Sequence, residues 1–393
     1  TKRMKFHNIE RDCLKALFDN DYRSALEANR LRAGMLLELL GDRHLSVIEA
    51  LLRCQDLLIV MNDPSSSVTQ IQRLDQLIPQ VTKSPHPVHG YLHKVWADQA
   101  LYTGATEPAD DHFRKSVEIY EQSDTDFLPD YAITLNNYGL LLMQTGRYAE
   151  AHDALKKACH LLRNRVGLIN SQTQLLEYNL VSLEQYLSQQ ALLEHNWETS
   201  QSYLENSLTT LKQIEADTGK SQYQIRDIEW ELKVLRRCRK MNQDSLQDMD
   251  RCLVLQKLID TKKNAGDGNA ALKLSREYYG LIRKLFGENT PSAIRADFQV
   301  AKHMQGRDVK LTHYKLLLKP MSTVLGDDHP TYAELLIEIA DWTEPASAQT
   351  LEQAETAIGV YEQNSWHQTW EYAHALRIVG RIRNTLRHDN AID

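Results

Sequence analysis

Glycine and proline are scarce in this sequence, with 16 glycines and 10 prolines in 393 residues. Average proteins carry roughly 12% of the two residues together. β-Sandwiches, β-barrels and dinucleotide-binding domains need many turns built on these residues, so the scarcity argues against all three. No apolar run approaches about 18 residues, which argues against a transmembrane helix. No proline lies between Pro129 and Pro291. Because proline costs about 3 kcal/mol inside a helix, this stretch is expected to be rich in helices.

The overall composition is that of a globular protein, with 42% hydrophobic and 25% charged residues. The length predicts about two or three domains. A net charge of -7 argues against nucleic-acid binding over the whole surface but allows a local basic patch. The five cysteines are odd in number and form no C-x-x-C, which predicts reduced thiols in a cytoplasmic protein. The N-terminus has no signal peptide and no leading Met, so the chain is expected to be a piece of a longer protein.

The clearest internal pattern runs from Ala132 to Arg165. A break at Thr145-Gly146 predicts that one helix ends there and a second begins. Gly139 and Ala151 are expected to be small because the two helices cross at these positions. The apolar and small residues have the spacing of a tetratricopeptide repeat (TPR), which this segment resembles: Leu135, Tyr138, Gly139, Leu142, Gly146, Tyr148, Ala151, Leu155 and Ala158.

Weaker copies of this pattern flank it. One runs from Trp96 to Ser116 and another from Leu187 to Ser207. A linker also recurs, as Leu40-Gly-Asp-Arg-His44, Phe286-Gly-Glu-Asn-Thr-Pro291 and Leu325-Gly-Asp-Asp-His-Pro330. Its glycine is predicted to end a helix in the left-handed region, and its proline suits the first turn of the next helix. This linker resembles those of kinesin-light-chain-like repeats and of large multi-domain bacterial TPR proteins.

These patterns predict an all-α, right-handed TPR-like superhelical solenoid of about eight helix pairs. We expect degenerate helical hairpins over 1–80, the best-defined repeats over 81–215, and degenerate TPR-like repeats over 216–393. In such solenoids the first helix of each pair lines the concave surface.

The candidate partner-binding residues centre on Asn136 and Asn137. The sequence L-N-N-Y-G resembles the L-N-N-L-A of kinesin-light-chain-like repeats, in which an asparagine holds the backbone of a bound peptide. An amide both donates and accepts, so it can bind an extended chain. The alternative is a hydrogen bond within or between helices. A cationic clamp for acidic chain ends is not evident, because Ile133 occupies one of its positions. By repeat register, the same surface is predicted to carry Lys94, Asp98, Gln144, Gln185 and Gln189.

A basic run provides a second candidate contact, consisting of Arg236, Arg237, Arg239 and Lys240. It could contact an acidic peptide, RNA or DNA. It lacks the interleaved aromatic residues that stack on single strands. The alternative is a solvated helix end.

Signals for catalysis or metal binding are weak. G-x-S-x-G and H-E-x-x-H are both absent, and the glycine-rich Asn264–Gly268 lacks the Lys-Ser/Thr of a phosphate loop. His86, His89 and His93 are interrupted by Pro87 and Gly90, so a helix start is favoured over zinc. The adjacent Cys159 and His160 are expected to point to different parts of a helix surface. We predict no metal, no cofactor and no enzymatic activity.

The predicted function is a non-catalytic scaffold that binds a protein or peptide partner through its concave groove, with no membrane contact. One alternative, by resemblance, is a regulatory arm of a larger enzyme, such as a kinase, an ATPase or a caspase-like (CHAT) peptidase. Another is an adaptor in a nucleic-acid-associated complex that uses the basic run. The sequence predicts neither the partner nor the oligomeric state.

Overall fold

The computed structural model describes residues 21–63, 67–123, 128–166, 171–220, 222–344, 346–364 and 369–389, together with Ile9, 11–13, 15–16 and Trp366. Within these residues the secondary structure is helical, with no β-strand. None of the described helices is long and apolar enough to span a bilayer. The chain divides into two compact units, Thr1–His195 and Asn196–Asp393. The predicted division into 1–80, 81–215 and 216–393 stays a prediction.

The helices of the first unit are α1 (Tyr22–Leu40), α2 (Leu45–Val60), α3 (Val68–Val81), α4 (Pro87–Tyr102), α5 (Thr106–Gln122), α6 (Leu128–Gln144), α7 (Tyr148–His160) and α8 (Ser171–Leu193), with a π-helical turn at Leu161–Val166 after α7. Those of the second unit are α9 (Trp197–Thr218), α10 (Tyr223–Cys238), α11 (Gln243–Asn264), α12 (Gly268–Phe286), α13 (Pro291–His303), α14 (Arg307–Leu325), α15 (Pro330–Trp342), α16 (Ala348–Gln363) and α17 (Trp370–Asp389).

Most neighbouring helices within each unit pack on one another. The tightest hairpins include α4 with α5, α6 with α7, α11 with α12 and α15 with α16. Helix α2 also packs on α4, one hairpin further along the chain. Short connections make consecutive helices antiparallel, and packing limited to near neighbours is typical of a helical solenoid. The prediction of an all-α, TPR-like solenoid is confirmed.

The crossing of α6 and α7 explains the small residues of the clearest repeat. A Cβ added at Gly139 would lie 2.8 Å from Cγ of Leu155 and 3.5 Å from the backbone oxygen of Ala151. Ala151 and Leu155 are both fully buried. The two helices can therefore approach closely only because Gly139 has no side chain, as the repeat pattern predicts.

The recurring linkers form the same kind of helix-to-helix connection three times. Gly41, Gly287 and Gly326 follow the last residues of α1, α12 and α14, and their φ angles are +81°, +95° and +99°. Their ψ angles lie between 155° and 167°. The backbone is thus extended at positive φ, a region open essentially to glycine alone, and not in the compact left-handed helical conformation that the sequence suggested. Pro291 and Pro330 begin the next helices, as predicted.

Candidate functional site

Four successive repeat helices of the first unit, α2, α4, α6 and α8, share a row of linked polar side chains. We call this row the polar network and define it as Asp56, Tyr91, Lys94, Asp98, Asn136, Asn137 and Asn179. At one end, the Tyr91 hydroxyl donates to Oδ2 of Asp56 at 3.0 Å. The Lys94 ammonium pairs with Asp56 and, at 2.8 Å, with Oδ2 of Asp98. One lysine is therefore shared between two carboxylates.

Amides continue the polar network across the next helices. Nδ2 of Asn137 donates to Oδ1 of Asp98 at 3.2 Å. Nδ2 of Asn136 donates to Oδ1 of Asn137 at 3.3 Å. Nδ2 of Asn179 donates to Oδ1 of Asn136 at 2.9 Å. Helix α4 is thereby joined to α6, and α6 to α8, through an asparagine that both donates and accepts.

A second ion pair lies beside the polar network and joins α2 to α6. The Arg53 guanidinium donates two hydrogen bonds to the Asp130 carboxylate, at 3.2 and 3.0 Å. The Arg53 guanidinium carbon also lies 5.3 Å from the centre of the Tyr91 ring. The parallel two-bond geometry is the strong form of an arginine–carboxylate contact.

The charges of the polar network are largely withdrawn from solvent. The Lys94 side chain is 5% exposed and that of Asp98 is 12% exposed. Burial alone would lower the pKa of Lys94, but Asp56 and Asp98 outweigh it and hold the pKa above its ordinary value. Burial raises the pKa of Asp98, with Lys94 acting in the opposite direction. Buried ion pairs seldom stabilise a fold more than apolar residues of the same size would, so stability alone does not account for these charges.

A cavity of about 110 Å³ opens next to the lysine end of the polar network. It lies among four helices, because its walls come from α1, α2, α4 and α6. The lining residues are Asn29, Arg53, Asp56, Leu57, Tyr91, Lys94, Asp130 and Ile133.

The structure places the predicted partner-binding residues in two groups. Asn136, Asn137, Lys94 and Asp98 all belong to the polar network, but their polar groups face one another, and Lys94 and Asn136 are only 4% and 5% exposed. The expectation that these two side chains lie open on a surface is therefore corrected. Their part in binding a partner stays a prediction. Outside the polar network, Gln144 and Gln189 are exposed and Gln185 is half-buried.

Sequence reasoning missed Asp56, Tyr91 and Asn179 in the polar network and the neighbouring Arg53–Asp130 pair. A signal for some of them was present. Polar residues recur at the repeat spacing, since Asp98 lies 42 residues after Asp56, and Asn179 lies 43 after Asn136. The Arg53–Asp130 pair had no such signal, because it joins residues 77 positions apart.

The basic run lies at the end of α10 in the second unit, where Arg236, Arg237, Arg239 and Lys240 are exposed. The Arg237 guanidinium carbon is 6.0 Å from the centre of the Phe286 ring. Arg239 lies 3.7 Å from a carboxylate oxygen of Glu198. Cations at a helix C-terminus are favoured by the helix dipole. The run thus lies exposed at the end of a helix, and its contact with a partner stays a prediction.

The histidines of the HPVHGYLH segment have separate roles. His86 caps α4, because its Nδ1 accepts from the backbone N–H of Val88 at 3.2 Å. His89 contacts the backbone oxygen of Thr82, and Nδ1 of His93 lies 3.0 Å from Nδ1 of His112. Burial, then repulsion from His112, lowers the pKa of His93 to about 4. Within the described residues, no three His, Cys, Asp or Glu side chains are grouped closely enough to hold a metal ion.

Three of the five cysteines are poor nucleophiles in this structure. Burial raises the pKa of Cys54 to about 11 and those of Cys159 and Cys252 to about 12. Cysteine reacts as the thiolate, which is rare at neutral pH when the pKa is that high. Cys159 is half-buried, whereas Cys13, Cys54, Cys238 and Cys252 are buried.

Comparison with solved structures gives distant neighbours. The apo form of RapI is 9% identical, with 98% of each chain covered and a TM-score of 0.43. A Rap protein complexed with Competence and Sporulation Factor is 11% identical, with 98% of this chain and 99% of that chain covered and a TM-score of 0.37. The TPR2AB domain of yeast Sti1, solved with pHSP90, is 14% identical over 73% of this chain and 98% of that chain, with a TM-score of 0.25. These TM-scores are low, so the fold is argued from the helices of this chain.

Comparison with curated proteins gave no match. Comparison with family models matched the tetratricopeptide repeat to residues 92–164. The matched range begins in α4 and ends in the π-helical turn, so it contains the Gly139 crossing and most of the polar network. Residues 92–164 therefore belong to the tetratricopeptide repeat family, as the spacing of their small and apolar residues predicts.

Proposed function

We propose that this chain is a non-catalytic scaffold that binds a protein or peptide partner, in extended form, along the polar network of the first unit. The observation that carries the proposal is the unbroken row of hydrogen-bonding side chains across α2, α4, α6 and α8. Stacked TPR hairpins provide extended binding surfaces, and the family match lies within this part of the chain.

The chemistry of the row suits an extended backbone. A peptide chain presents one donor and one acceptor per residue, and an asparagine amide supplies both kinds of group. Asn137 is half-buried and already bridges Asp98 and Asn136. It can therefore exchange one internal hydrogen bond for one to a partner. Gln144, seven residues later and exposed at the end of α6, extends the same helix face.

The test begins with affinity purification from the native source and mass spectrometry, which identify the partner. Binding is then measured by calorimetry for wild type, Asn137→Ala and a double variant, Arg236→Ala with Arg237→Ala. We expect Asn137→Ala to weaken binding by about 1–3 kcal/mol, because partner groups are left buried and unpaired. We expect the double variant to bind as wild type does.

The opposite pattern would defeat the proposal. If the double variant abolishes binding and Asn137→Ala leaves it unchanged, the partner contacts the basic run. A nucleic-acid-associated adaptor would then gain support. The full open reading frame tests the other alternative, since a kinase, ATPase or peptidase domain in the same chain would make this segment a regulatory arm.

A further inference from the structure

One residue that lines the cavity beside the polar network carries an acceptor that the protein does not satisfy. Asn29, on α1, is 1% exposed, and its Oδ1 has no hydrogen-bond partner among the described residues. Asn29 is one of the residues that line the cavity. A buried polar atom without a partner costs about 1–3 kcal/mol, so this position is expected to gain from a donor supplied by another molecule.

The donors around the cavity already face acceptors of the protein. Arg53 donates to Asp130, the Tyr91 hydroxyl donates to Asp56, and Lys94 pairs with Asp56 and Asp98. Within this cluster, the three carboxylates of Asp56, Asp98 and Asp130 stand against the two cations of Arg53 and Lys94. The residues that line the cavity carry equal numbers of the two charges, with Asp56 and Asp130 against Arg53 and Lys94. The third carboxylate, Asp98, contacts Lys94 from outside this lining and leaves the whole cluster with one excess negative charge. A cationic donor in the cavity would balance that charge, whereas an anion would add to it.

The cavity also has the size and walls for a cationic side chain. Its volume of about 110 Å³ is several times the roughly 10–15 Å³ that a cavity needs to hold one water molecule, so it has room for a larger group. Leu57 and Ile133 provide apolar wall, which suits the methylene stem of a long amine. The Tyr91 ring already attracts cations, since Arg53 and Lys94 lie 5.3 and 5.8 Å from its centre.

We infer that this cavity receives a protonated amine of the bound partner, with Asn29 Oδ1 as its hydrogen-bond acceptor and the neighbouring carboxylates as its counter-charge. The amine comes either from a lysine side chain or from the N-terminus of the partner. The inference rests on the proposed function, because it assigns a specificity position to the same binding surface.

The experiment selects random short peptides, displayed on phage, against wild-type protein. Selected peptides are synthesised in three forms: unchanged, with lysine replaced by norleucine, and with an acetylated N-terminus. Norleucine keeps the stem and removes the charge. We expect one of the two changes to weaken binding about tenfold or more, the scale of a hydrogen bond to a charged group. The norleucine form identifies a lysine source, and the acetylated form identifies an N-terminal source.

Protein variants then locate the effect. Asn29→Leu removes the acceptor and makes the cavity wall apolar, so the loss of affinity caused by norleucine or by acetylation should disappear. Asp328→Asn, in the second unit, is the matched control, because it neutralises an exposed carboxylate that pairs with Arg226. In the Asp328→Asn protein, norleucine or acetylation should weaken peptide binding as much as in wild type. Circular dichroism checks that each variant is folded, and the comparison of peptide forms on wild type does not depend on any variant.

The outcomes separate this inference from the proposed function. Selected peptides that need Asn137 but tolerate both norleucine and acetylation would overturn the inference and leave the proposed function standing. A sensitivity that survives unchanged in a folded Asn29→Leu protein would also overturn it. A selection that yields no binding peptide would contradict both.

Discussion

Each unit has a lysine that pairs with a carboxylate on another repeat helix, and the two lysines differ in their surroundings. In the first unit, the Lys94 ammonium is shared by two carboxylates and its side chain is only 5% exposed. In the second unit, Lys302 on α13 pairs with Glu334 on α15, and both side chains are about one-third exposed. A helical solenoid thus supports both arrangements. The two lysines differ in their degree of burial. Removing the charge of the buried lysine is expected to destabilise the fold more than removing that of the partly exposed one.

A second comparison concerns how closely the helices approach. At Gly139 in the first unit, an added Cβ would clash with Leu155. At Gly280 in α12 of the second unit, an added Cβ would have nothing within 4 Å. The first glycine is required by packing, and the second is not.

The largest effect is expected from removing the shared lysine. Lys94→Met leaves Asp56 and Asp98 without their cation, and we expect a loss of about 3–5 kcal/mol in the free energy of unfolding. Lys302→Met is the matched control, for which we expect about 0–1 kcal/mol because its pair is partly solvated. Urea unfolding followed by circular dichroism measures both. Equal losses of unfolding free energy in the two variants would mean that the burial of Lys94 does not make its charge more important to the fold than that of Lys302.

A Gly→Ala substitution is expected to change the stability of the protein in opposite directions at Gly139 and at Gly280. Gly139→Ala forces Leu155 aside, and overpacking of this kind costs about 1–3 kcal/mol. Gly280→Ala, exposed within a helix, should stabilise the protein by up to about 1 kcal/mol through helix propensity. Thermal unfolding of the two variants measures both changes in stability. A stabilising Gly139→Ala would show that the hairpin crossing does not need glycine.

A smaller, pH-dependent effect is expected in the second unit at Glu231, one turn after Asp227 on α10. Burial, then repulsion from Asp227, raises the pKa of Glu231 from 4.5 to about 7, although Arg295 opposes the rise. The folded carboxyl binds its proton more tightly than the unfolded one. The free energy of unfolding therefore falls as pH rises from about 4.5 to about 7, and the loss remains above that range.

Glu231→Gln removes this titration. The side chain keeps some contact with water, so we expect the variant to be more stable than wild type by about 1–2 kcal/mol at pH 8 and similar to it at pH 4. Urea unfolding at the two pH values measures the difference. A gap between variant and wild type that is the same at both pH values would mean that Glu231 titrates normally.

Local features of the fold were predictable from sequence because they depend on residues close together in the chain. The spacing of Gly139, Ala151 and Leu155 predicts a hairpin crossing, and the structure has one. The glycines of the recurring linkers end helices at Gly41, Gly287 and Gly326, as predicted. Only their ψ angles differ, since sequence predicts the need for positive φ but not the direction in which the chain leaves the helix.

The contacts of the candidate site were harder to predict, because they join residues far apart in sequence. The resemblance to kinesin-light-chain-like repeats singles out Asn136 and Asn137 as candidate site residues. The repeat register places Lys94 and Asp98 near them. Nothing local indicates that Lys94 is buried between two carboxylates, or that Asn29 on α1 faces the same cavity. Burial of this kind is set by the packing of α1, α2, α4 and α6 together.

We propose that a partner binds along the polar network of the first unit. The most direct measurement is hydrogen–deuterium exchange of the full chain with and without a peptide selected by display. We predict slower exchange of backbone amides in α4 and α6 when the peptide is bound, with residues 236–240 unchanged, because a bound chain suppresses local opening of the helices that it contacts. Slower exchange at 236–240 with no change in α4 and α6 would contradict the account.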